Sequence, residues 1–202
     1  ASGLWWLYIS MHFYGHLPAP LAVLAVFFLA AFLALFPACA LGLTHKLCDH
    51  PPTIHYFTQH KNFPLRHALI AACAWGVSEW LRGTLLTGFP WLAIGYAHSD
   101  SPLSGYAALI GVYGISAIAA GVAALLAQIH IKKHRWKIIF VIGFIFCAGW
   151  AMPQLRFTQA LERFVTVQLV QGNIPQDLKF DPHVFEANLN QQTALMTANP
   201  AD

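Results

Sequence analysis

The chain has 202 residues, of which 57% are hydrophobic and only 9% are Asp, Glu, Lys or Arg. Because soluble domains carry charges at about a quarter of their positions, this deficit and a mean hydropathy of +0.55 indicate that lipid is the main solvent. A formal net charge of +3 is too small to indicate a nucleic-acid partner, and four cysteines, most of them in apolar runs, do not form the framework of a secreted disulfide protein.

Membrane-spanning helices are predicted wherever an apolar run is long enough. About 20 apolar residues are needed to cross about 30 Å of hydrocarbon. Residues 1–13 are predicted to be the end of one span, and four further spans are predicted over 20–43, 67–81, 105–131 and 138–152. In the 105–131 span, small residues recur at every fourth position, which predicts close packing against another helix; the pairs are Ala117 with Gly121 and Ala120 with Ala124.

The charges of the connecting loops predict the orientation of these spans. The 130–137 loop contains four Lys and Arg residues and the 44–66 loop contains three, whereas the 14–19 loop has none and the 83–104 loop has none. Lys and Arg are enriched in cytoplasmic loops, so the first two loops are predicted inside and the last two outside. The span that follows the 130–137 loop then places everything after Pro153 on the external face.

The residues after the last span predict the beginning of a soluble α/β unit. Alternating apolar residues over 165–170 predict a strand that enters a core, and Asp181-Pro182 predicts the start of a helix that ends before Asn199-Pro200. An apolar stripe follows the helical period at Phe185, Leu189, Gln192 and Met196. We therefore predict a membrane helical bundle over 1–153, a connector over 154–164, and the first strand and helix of an α/β domain over 165–202, whose sheet needs further strands.

Glu79 and Arg82 are the first candidate functional residues. They are three residues apart near the external end of a predicted span, where ionisable groups are costly and are usually paired or functional. Either they form a mutual ion pair that holds the end of the helix at the interface, or they face a substrate. The sequence leaves both interpretations open.

The stretch directly after them is the second candidate. Gly88 and Pro90 break the helix, while Phe89 and Trp91 supply rings that suit the headgroup level of a membrane. This stretch is either an external loop that dips back to hold acyl chains or a turn with an aromatic anchor. The residue types alone favour the anchor.

No metal or cofactor is predicted. The 44–66 loop holds several potential ligands, but their spacing is irregular and Pro51-Pro52 interrupts them, unlike the repeated spacing of zinc sites; they are His45, Cys48, His50, His55 and His60. His12 and His16 lie one helical turn apart without a third ligand nearby. The sequence contains no phosphate-binding loop, no dinucleotide-binding fingerprint and no serine-hydrolase elbow.

Two motifs on either side of the predicted membrane exit give this sequence a resemblance to a known family. The first consists of Glu79-Trp80-Leu81-Arg82-Gly83, Thr87-Gly88-Phe89-Pro90-Trp91 and Gly95-Tyr96. The second consists of Val170-Gln171-Gly172-Asn173-Ile174-Pro175-Gln176 and Lys179-Phe180-Asp181. With these motifs, the chain resembles the bacterial apolipoprotein N-acyltransferases along essentially its whole length.

The resemblance implies a specific reaction and place. In that family the soluble part is a nitrilase-like α/β sandwich domain with a Glu–Lys–Cys triad, on the periplasmic side of the bacterial inner membrane. The cysteine takes an acyl chain from a phospholipid as a thioester and passes it to the α-amino group of the diacylglyceryl-cysteine of an apolipoprotein. No cofactor is implied, and membrane lipid surrounds the enzyme.

The family motifs also imply that the catalytic triad is not contained in residues 1–202. No residue of this chain matches a position of the triad, and Glu79, Glu162 and Glu186 lie outside the family's triad motifs. Residues 1–202 alone are therefore predicted to be inactive. The motif positions are Gly88, Gln171, Gly172, Asn173, Pro175 and Gln176, and the predicted lipid-facing residues are Glu79, Arg82, Phe89, Pro90, Trp91 and Phe180. Phe180 occupies a position that can be Trp in the family, which removes an indole N–H.

Two other functions remain open from the residues. One is a transporter-like membrane body with a small external appendage, against which stands the lack of a repeat between the halves. The other is a membrane-anchored amidase of the nitrilase type.

Overall fold

A computed structural model describes residues 2–48, 65–155, 166–176, 178–179 and 181–198. Contacts between Cα atoms divide the chain into two units. One unit lies within Ala1–Val26 and Thr158–Asp202, and the other lies within Phe27–Phe157. The second unit contains the membrane-side candidate residues from Glu79 to Trp91.

Helices dominate both units. In chain order they are α1 Trp5–Ile9, α2 Ala19–Leu47, α3 Leu65–Thr84, α4 Ala107–Leu126, α5 Arg135–Ala151 and α6 Phe185–Ala198. A π-helical turn, Ser10–Tyr14, continues α1, so the described part of the predicted 1–13 segment is helical. The described residues contain no β-strand.

Among the residues that the structure describes, three helices are long and apolar enough to cross a membrane. They are Ala19–Leu47, Pro102–Leu126 and Arg135–Gln154, the last two including short flanking turns. They correspond to the predicted spans over 20–43, 105–131 and 138–152, and they indicate a membrane protein.

The remaining predicted span, 67–81, forms α3 but is not among the described helices that are apolar enough to cross. Its 20 residues would extend about 30 Å, so length is not the reason. The reason is composition, since helix α3 contains Arg66, Glu79 and Arg82. A polar helix of this kind is tolerated because its buried positions face protein; they are Ala68, Ala74, Gly76, Ser78 and Glu79.

Small residues bring α3 and α4 close together. A Cβ added to Gly76 would stand 2.8 Å from the Cβ of Ala117, and one added to Gly121 would stand 3.2 Å from the Cβ of Ala72. Side chains larger than these do not fit between the two helices. The close packing predicted for Ala117 and Gly121 is therefore confirmed, and it maximises van der Waals contact, the main attraction between helices in lipid.

The turn between α4 and α5, residues 127–134, is fixed from both sides. The Gln128 Nε2 group donates to the Ala124 carbonyl at 2.8 Å. Ile138, in the first turn of α5, is fully buried and packs with Ala68 of α3 and Leu125 of α4. The beginning of α5 is thereby attached to both neighbouring helices.

His134, the last residue of this turn, is buried. Burial, together with the charges of Lys133 and Lys137, lowers its pKa below the ordinary value of 6.5. The folded chain therefore keeps His134 neutral at a pH at which the unfolded chain has begun to take up a proton. The stability that neutral His134 contributes is complete above about pH 6.5 and is lost as the pH falls from there through the lowered pKa.

We expect hydrogen exchange at the Ile138 amide to report this loss, because that N–H donates to the His134 carbonyl at 2.9 Å. After correction for intrinsic rates, exchange should accelerate when the pH is lowered from about 7.5 to about 5.5. His134→Asn should remove the pH dependence and His130→Asn, in the same turn, should keep it. The same pH dependence in His134→Asn as in the original chain would contradict the assignment.

In the other unit, side-chain amides hold the 166–176 segment along α6. The Gln168 Nε2 group donates to the Leu195 carbonyl at 2.9 Å, and the Gln191 Nε2 group donates to the Gly172 carbonyl at 3.3 Å. Residues 166–176 have no regular secondary structure, so the strand predicted over 165–170 is absent over its described part. A strand exchanges backbone hydrogen bonds with a neighbouring strand, and no described residue supplies one.

The helix predicted to start at Asp181-Pro182 begins later, at Phe185. Asp181 accepts a hydrogen bond from the His183 N–H at its Oδ1, at 2.8 Å, but this bond closes a local turn ahead of the helix, so Asp181 is not the helix N-cap that was predicted. The predicted stripe residues Phe185, Leu189 and Met196 are exposed.

Candidate functional site

The connection between α3 and α4 folds back along both helices. It contains the helical turns Leu85–Thr87, Ile94–His98 and Pro102–Tyr106. The Ile94 N–H reaches Glu79, five residues before the end of α3, and the Gly95 N–H reaches Ser116, nine residues after the start of α4. At 1.5 Å per residue these contacts lie about 8 Å and about 14 Å from the respective helix ends. We call residues 85–98 the docked loop.

The Glu79 carboxylate accepts a hydrogen bond from this connection and another from α3. Its side chain is 4% exposed, and its Oε1 accepts from the Ile94 backbone N–H at 3.1 Å and from the Trp75 Nε1 group at 3.2 Å. Trp75 precedes Glu79 by one helical turn, so the geometry of α3 brings the indole to the carboxylate. Glu79 thus joins the docked loop to α3.

Arg82 forms an ion pair with the same carboxylate. Its Nη2 atom lies 3.6 Å from Glu79 Oε1, and its side chain is 11% exposed. Within the described residues, Glu79 Oε2 and Arg82 Nε and Nη2 are buried without a hydrogen-bond partner. The ion pair considered from the sequence is present, whereas a substrate-facing role for either residue stays a prediction.

A second hydrogen bond fixes the next residue of the docked loop. The Gly95 N–H donates to Ser116 Oγ at 2.8 Å, and Ser116, which is buried, donates to the Val112 carbonyl at 3.2 Å. A Cβ on residue 95 would collide with that same carbonyl. Glycine is required here because the backbone of the loop lies directly against the backbone of α4.

The beginning of the docked loop has an unusual backbone. Leu86, Thr87 and Gly88 follow one another with φ of 52°, 75° and 77°, and Leu92 has φ of 67°. Non-glycine residues in this region store strain, which concentrates at functional sites. The Phe89 N–H donates to the Arg82 carbonyl at 2.8 Å, so the end of α3 holds this sharp turn closed.

Aromatic and aliphatic side chains project from the turn. Phe89 and Trp91 meet edge to face with ring centroids 6.2 Å apart. Phe89 and Pro90 are half-buried, while Leu86, Trp91, Leu92 and Tyr96 are exposed. The motif thus forms an apolar surface beside the Glu79–Arg82 pair, as either the anchor or the acyl-holding interpretation requires.

An apolar cavity of about 540 Å³ adjoins the docked loop. Trp75 and Ile94, the two residues that donate to Glu79, both line it. The other lining residues belong to α2, α3, α4 and the loop: Ala40, Leu41, Thr44, Ala71, His98, Ala119, Ala120, Ala123 and Ala124. The alanines of α4 make the room, because larger side chains there would fill it.

The remaining predicted residues lie apart from this site in the chain. Gln171, Gly172, Asn173, Pro175 and Gln176 belong to the other unit. Asn173 has φ of 49°, a conformation that asparagine tolerates better than most residues. Phe180 lies outside the described residues.

Three contributors to the site were not predicted from the sequence. They are Trp75, the Ile94 N–H and Ser116. Weak signals existed, because Trp75 precedes Glu79 at helical spacing and Ser116 is an isolated hydroxyl in an apolar span. The Ile94 N–H is a backbone group and leaves no signal in side-chain identity.

Comparison with known proteins decides the family. The family model for the apolipoprotein N-acyltransferase N-terminal domain matches residues 1–125, which include the whole docked loop and Ser116. The chain belongs to the apolipoprotein N-acyltransferase family. Among the described residues, no group of three or more His, Cys, Asp or Glu side chains is arranged so that it could hold a metal ion.

Relatives extend the match beyond the membrane helices. An apolipoprotein N-acyltransferase of Ralstonia nicotianae is 44% identical over 200 residues, which cover 99% of this chain and 36% of the relative. One of Nitrosomonas europaea is 38% identical over 201 residues (99% and 38%), and a putative one of Bordetella parapertussis is 42% identical over 204 residues (98% and 38%). The chain spans a little over a third of the length of these N-acyltransferases.

Proposed function

We propose that the protein containing this chain transfers an acyl chain from a phospholipid to the N-terminal amine of the diacylglyceryl-cysteine of apolipoproteins. The observation that carries the proposal is the family match over residues 1–125, which contains the complete docked loop. The transfer passes through a cysteine thioester, in which the acyl carbonyl leaves the phospholipid oxygen for the thiolate sulfur and then the sulfur for the amine. The nucleophile belongs to the part of the relatives that this chain does not cover.

The role of this chain is to hold lipid beside the reaction. The cavity of about 540 Å³ has the size of a small-molecule pocket, which is about 300–1,000 Å³, and its lining suits a hydrocarbon chain. Leu86, Trp91 and Leu92 add exposed apolar surface on the adjoining loop. Glu79 shapes this region, since it holds both Trp75 and Ile94 of the cavity wall.

The distribution of charge supports an inner-membrane location with the docked loop on the periplasmic side. One end of the helices carries only basic residues among those described, including Lys46, Arg66 and the 132–137 cluster. The opposite end carries Arg82 with Glu79 and Asp100. Under the positive-inside bias the basic end is cytoplasmic, so the residues after Pro153 are periplasmic.

Residues 165–202 begin the nitrilase-like α/β domain in this proposal. The alignments with the relatives run over 98–99% of the chain, so they include this segment. In the whole protein, 165–170 becomes a strand once neighbouring strands accept its backbone hydrogen bonds. The exposed apolar residues of α6, Phe185, Leu189 and Met196, then pack on that sheet.

Complementation tests the function directly. The whole protein is expressed in a bacterium depleted of its own N-acyltransferase, and the N-terminal peptide of a lipoprotein is examined by mass spectrometry. We expect a third acyl chain on the α-amino group with the whole protein and a free amine with residues 1–202 alone. A free amine with the correctly inserted whole protein would refute the proposed function.

A cysteine-free control locates the nucleophile. Alanine at each cysteine of this chain should leave acylation by the whole protein intact, because these thiols are not the nucleophile; the positions are Cys39, Cys48, Cys73 and Cys147. Loss of acylation in a variant that still inserts in the membrane, or triacylation by residues 1–202 alone, would refute the placement of the nucleophile outside this chain.

A further inference from the structure

A basic and aromatic surface covers the start of α5. It consists of Lys132, Arg135, Trp136, Lys137 and Phe140, all of them exposed. We propose that this surface, called here the basic turn surface, binds anionic phospholipids, with the cations on the headgroup and the two rings on the acyl region. The proposal does not depend on the acyl-transfer reaction, and its failure would leave that reaction untouched.

The basic turn surface has no acidic residue near it in the sequence, neither in α4, nor in the turn, nor in α5. The sequence contains no Asp or Glu between Asp100 and Glu162. Over the part of the chain that the structure describes, Lys132, Arg135 and Lys137 form no ion pair. Lys and Arg beside a membrane helix attract anionic lipids, each by a similar increment, so a phosphodiester complements this surface.

The cations stand on a fixed frame rather than on a mobile loop. Between them His134 is buried, and its backbone N–H donates to the Ile131 carbonyl at 3.0 Å. The Arg135 Nε group donates to the Ile129 carbonyl at 3.3 Å. Ile138 is buried in the contact with α3 and α4. A frame attached in this way reduces the entropy that must be lost when a headgroup binds.

The aromatic residues distinguish a lipid from a soluble anion. Trp136 exposes 78% of its surface and Phe140 exposes 74%. They lie four residues apart on α5 and therefore share one face, with Phe140 about 6 Å further along the helix. Indole rings favour the headgroup level, and phenyl rings favour the hydrocarbon below it. Cations at the headgroup and rings beneath them match an amphipathic anion.

Native mass spectrometry of the whole protein in neutral detergent tests the proposal. The protein is titrated with phosphatidylglycerol or with phosphatidylcholine, and the lipid-bound fraction is measured. We expect preferential retention of phosphatidylglycerol, and Lys132→Gln/Lys137→Gln should weaken it about thirtyfold, at about fivefold for each cation. Trp136→Ala should weaken the retention of phosphatidylglycerol, and also that of a phosphatidylglycerol with shortened acyl chains, without unfolding the protein.

A matched control separates this surface from the general positive charge of the same end. Lys46→Gln/Arg66→Gln also removes two charges from that end, but these charges lie on α2 and α3, outside the basic turn surface, and the Arg66 Nη2 group already donates to the Leu47 carbonyl. This double variant should therefore leave retention within about twofold. Equal weakening by both double variants would overturn the proposal in favour of a diffuse charge effect. Full displacement of the lipid by millimolar inorganic phosphate would overturn it in favour of a soluble anion.

Discussion

Replacing Glu79 by alanine is expected to lower the free energy of unfolding by about 3–5 kcal/mol, the usual cost of breaking a buried ion pair from one side. Arg82, whose side chain is 11% exposed, would lose its counter-charge, and the Trp75 and Ile94 donors would lose their common acceptor. Unfolding of the whole protein in a mild detergent measures the loss. Hydrogen exchange locates it, because the Ile94 amide should become unprotected.

Two variants control this prediction. Glu79→Gln keeps a side-chain oxygen for Trp75 and Ile94 but removes the charge that faces Arg82, so its loss of stability should be smaller. Ser116→Ala removes the acceptor of the Gly95 N–H and should expose the Gly95 amide while the Ile94 amide stays protected. Unchanged exchange at Ile94 in Glu79→Ala would show that Glu79 does not hold the docked loop.

Replacing Gly76 by leucine is expected to force α3 and α4 apart and to destabilise the bundle by about 3 kcal/mol, the upper range for overpacked sites. Even a methyl group at this position would stand 2.8 Å from the Cβ of Ala117. Thermal unfolding of the whole protein, followed by circular dichroism, measures the effect.

Matched variants make the Gly76 prediction specific. A Cβ on Gly143 of α5 would meet nothing within 4 Å, so Gly143→Leu should be tolerated although it also replaces a glycine inside a helix. Gly76→Ala should destabilise mildly, and adding Ala117→Gly should restore stability, because the pair exchanges one methyl group across the interface. Absence of this rescue would place the cost somewhere other than the α3–α4 contact.

The helical part of the fold was predictable because lipid imposes a simple rule. Apolar runs long enough to cross the bilayer become helices, and three predicted spans appear as such helices. For α3 the hydropathy rule was less informative. Its boundaries follow from the sequence, but its polar side chains at Glu79 and Arg82 reflect burial against neighbouring helices, which depends on tertiary packing.

The docked loop was only partly predictable. Glycine and proline at 88 and 90 indicated a break in the helix, and Phe89 and Trp91 indicated an interface. The depth to which the loop folds back was not accessible, because it depends on backbone N–H groups of Ile94 and Gly95 that meet Glu79 and Ser116. Every non-proline residue has such a donor, so its partner cannot be inferred from residue type.

The segment after the last membrane helix was predicted less accurately for a different reason. Local patterns indicated a strand over 165–170, but a strand is completed only by its neighbours. The helix did form, yet Asp181 made a local turn with His183 and moved the start of the helix to Phe185. Short-range competition of this kind is typical of aspartate.

Photocrosslinking of a phospholipid that carries a diazirine in its acyl chain tests most directly the claim that this chain holds lipid beside the docked loop. After illumination of the whole protein in lipid nanodiscs, peptide mapping should find adducts on the cavity residues Trp75, Ile94 and Ala120. Glu79→Ala should abolish these adducts and leave those on the exposed rings of α5, Phe140 and Trp150. Adducts confined to these exposed rings in the unaltered protein would contradict the account.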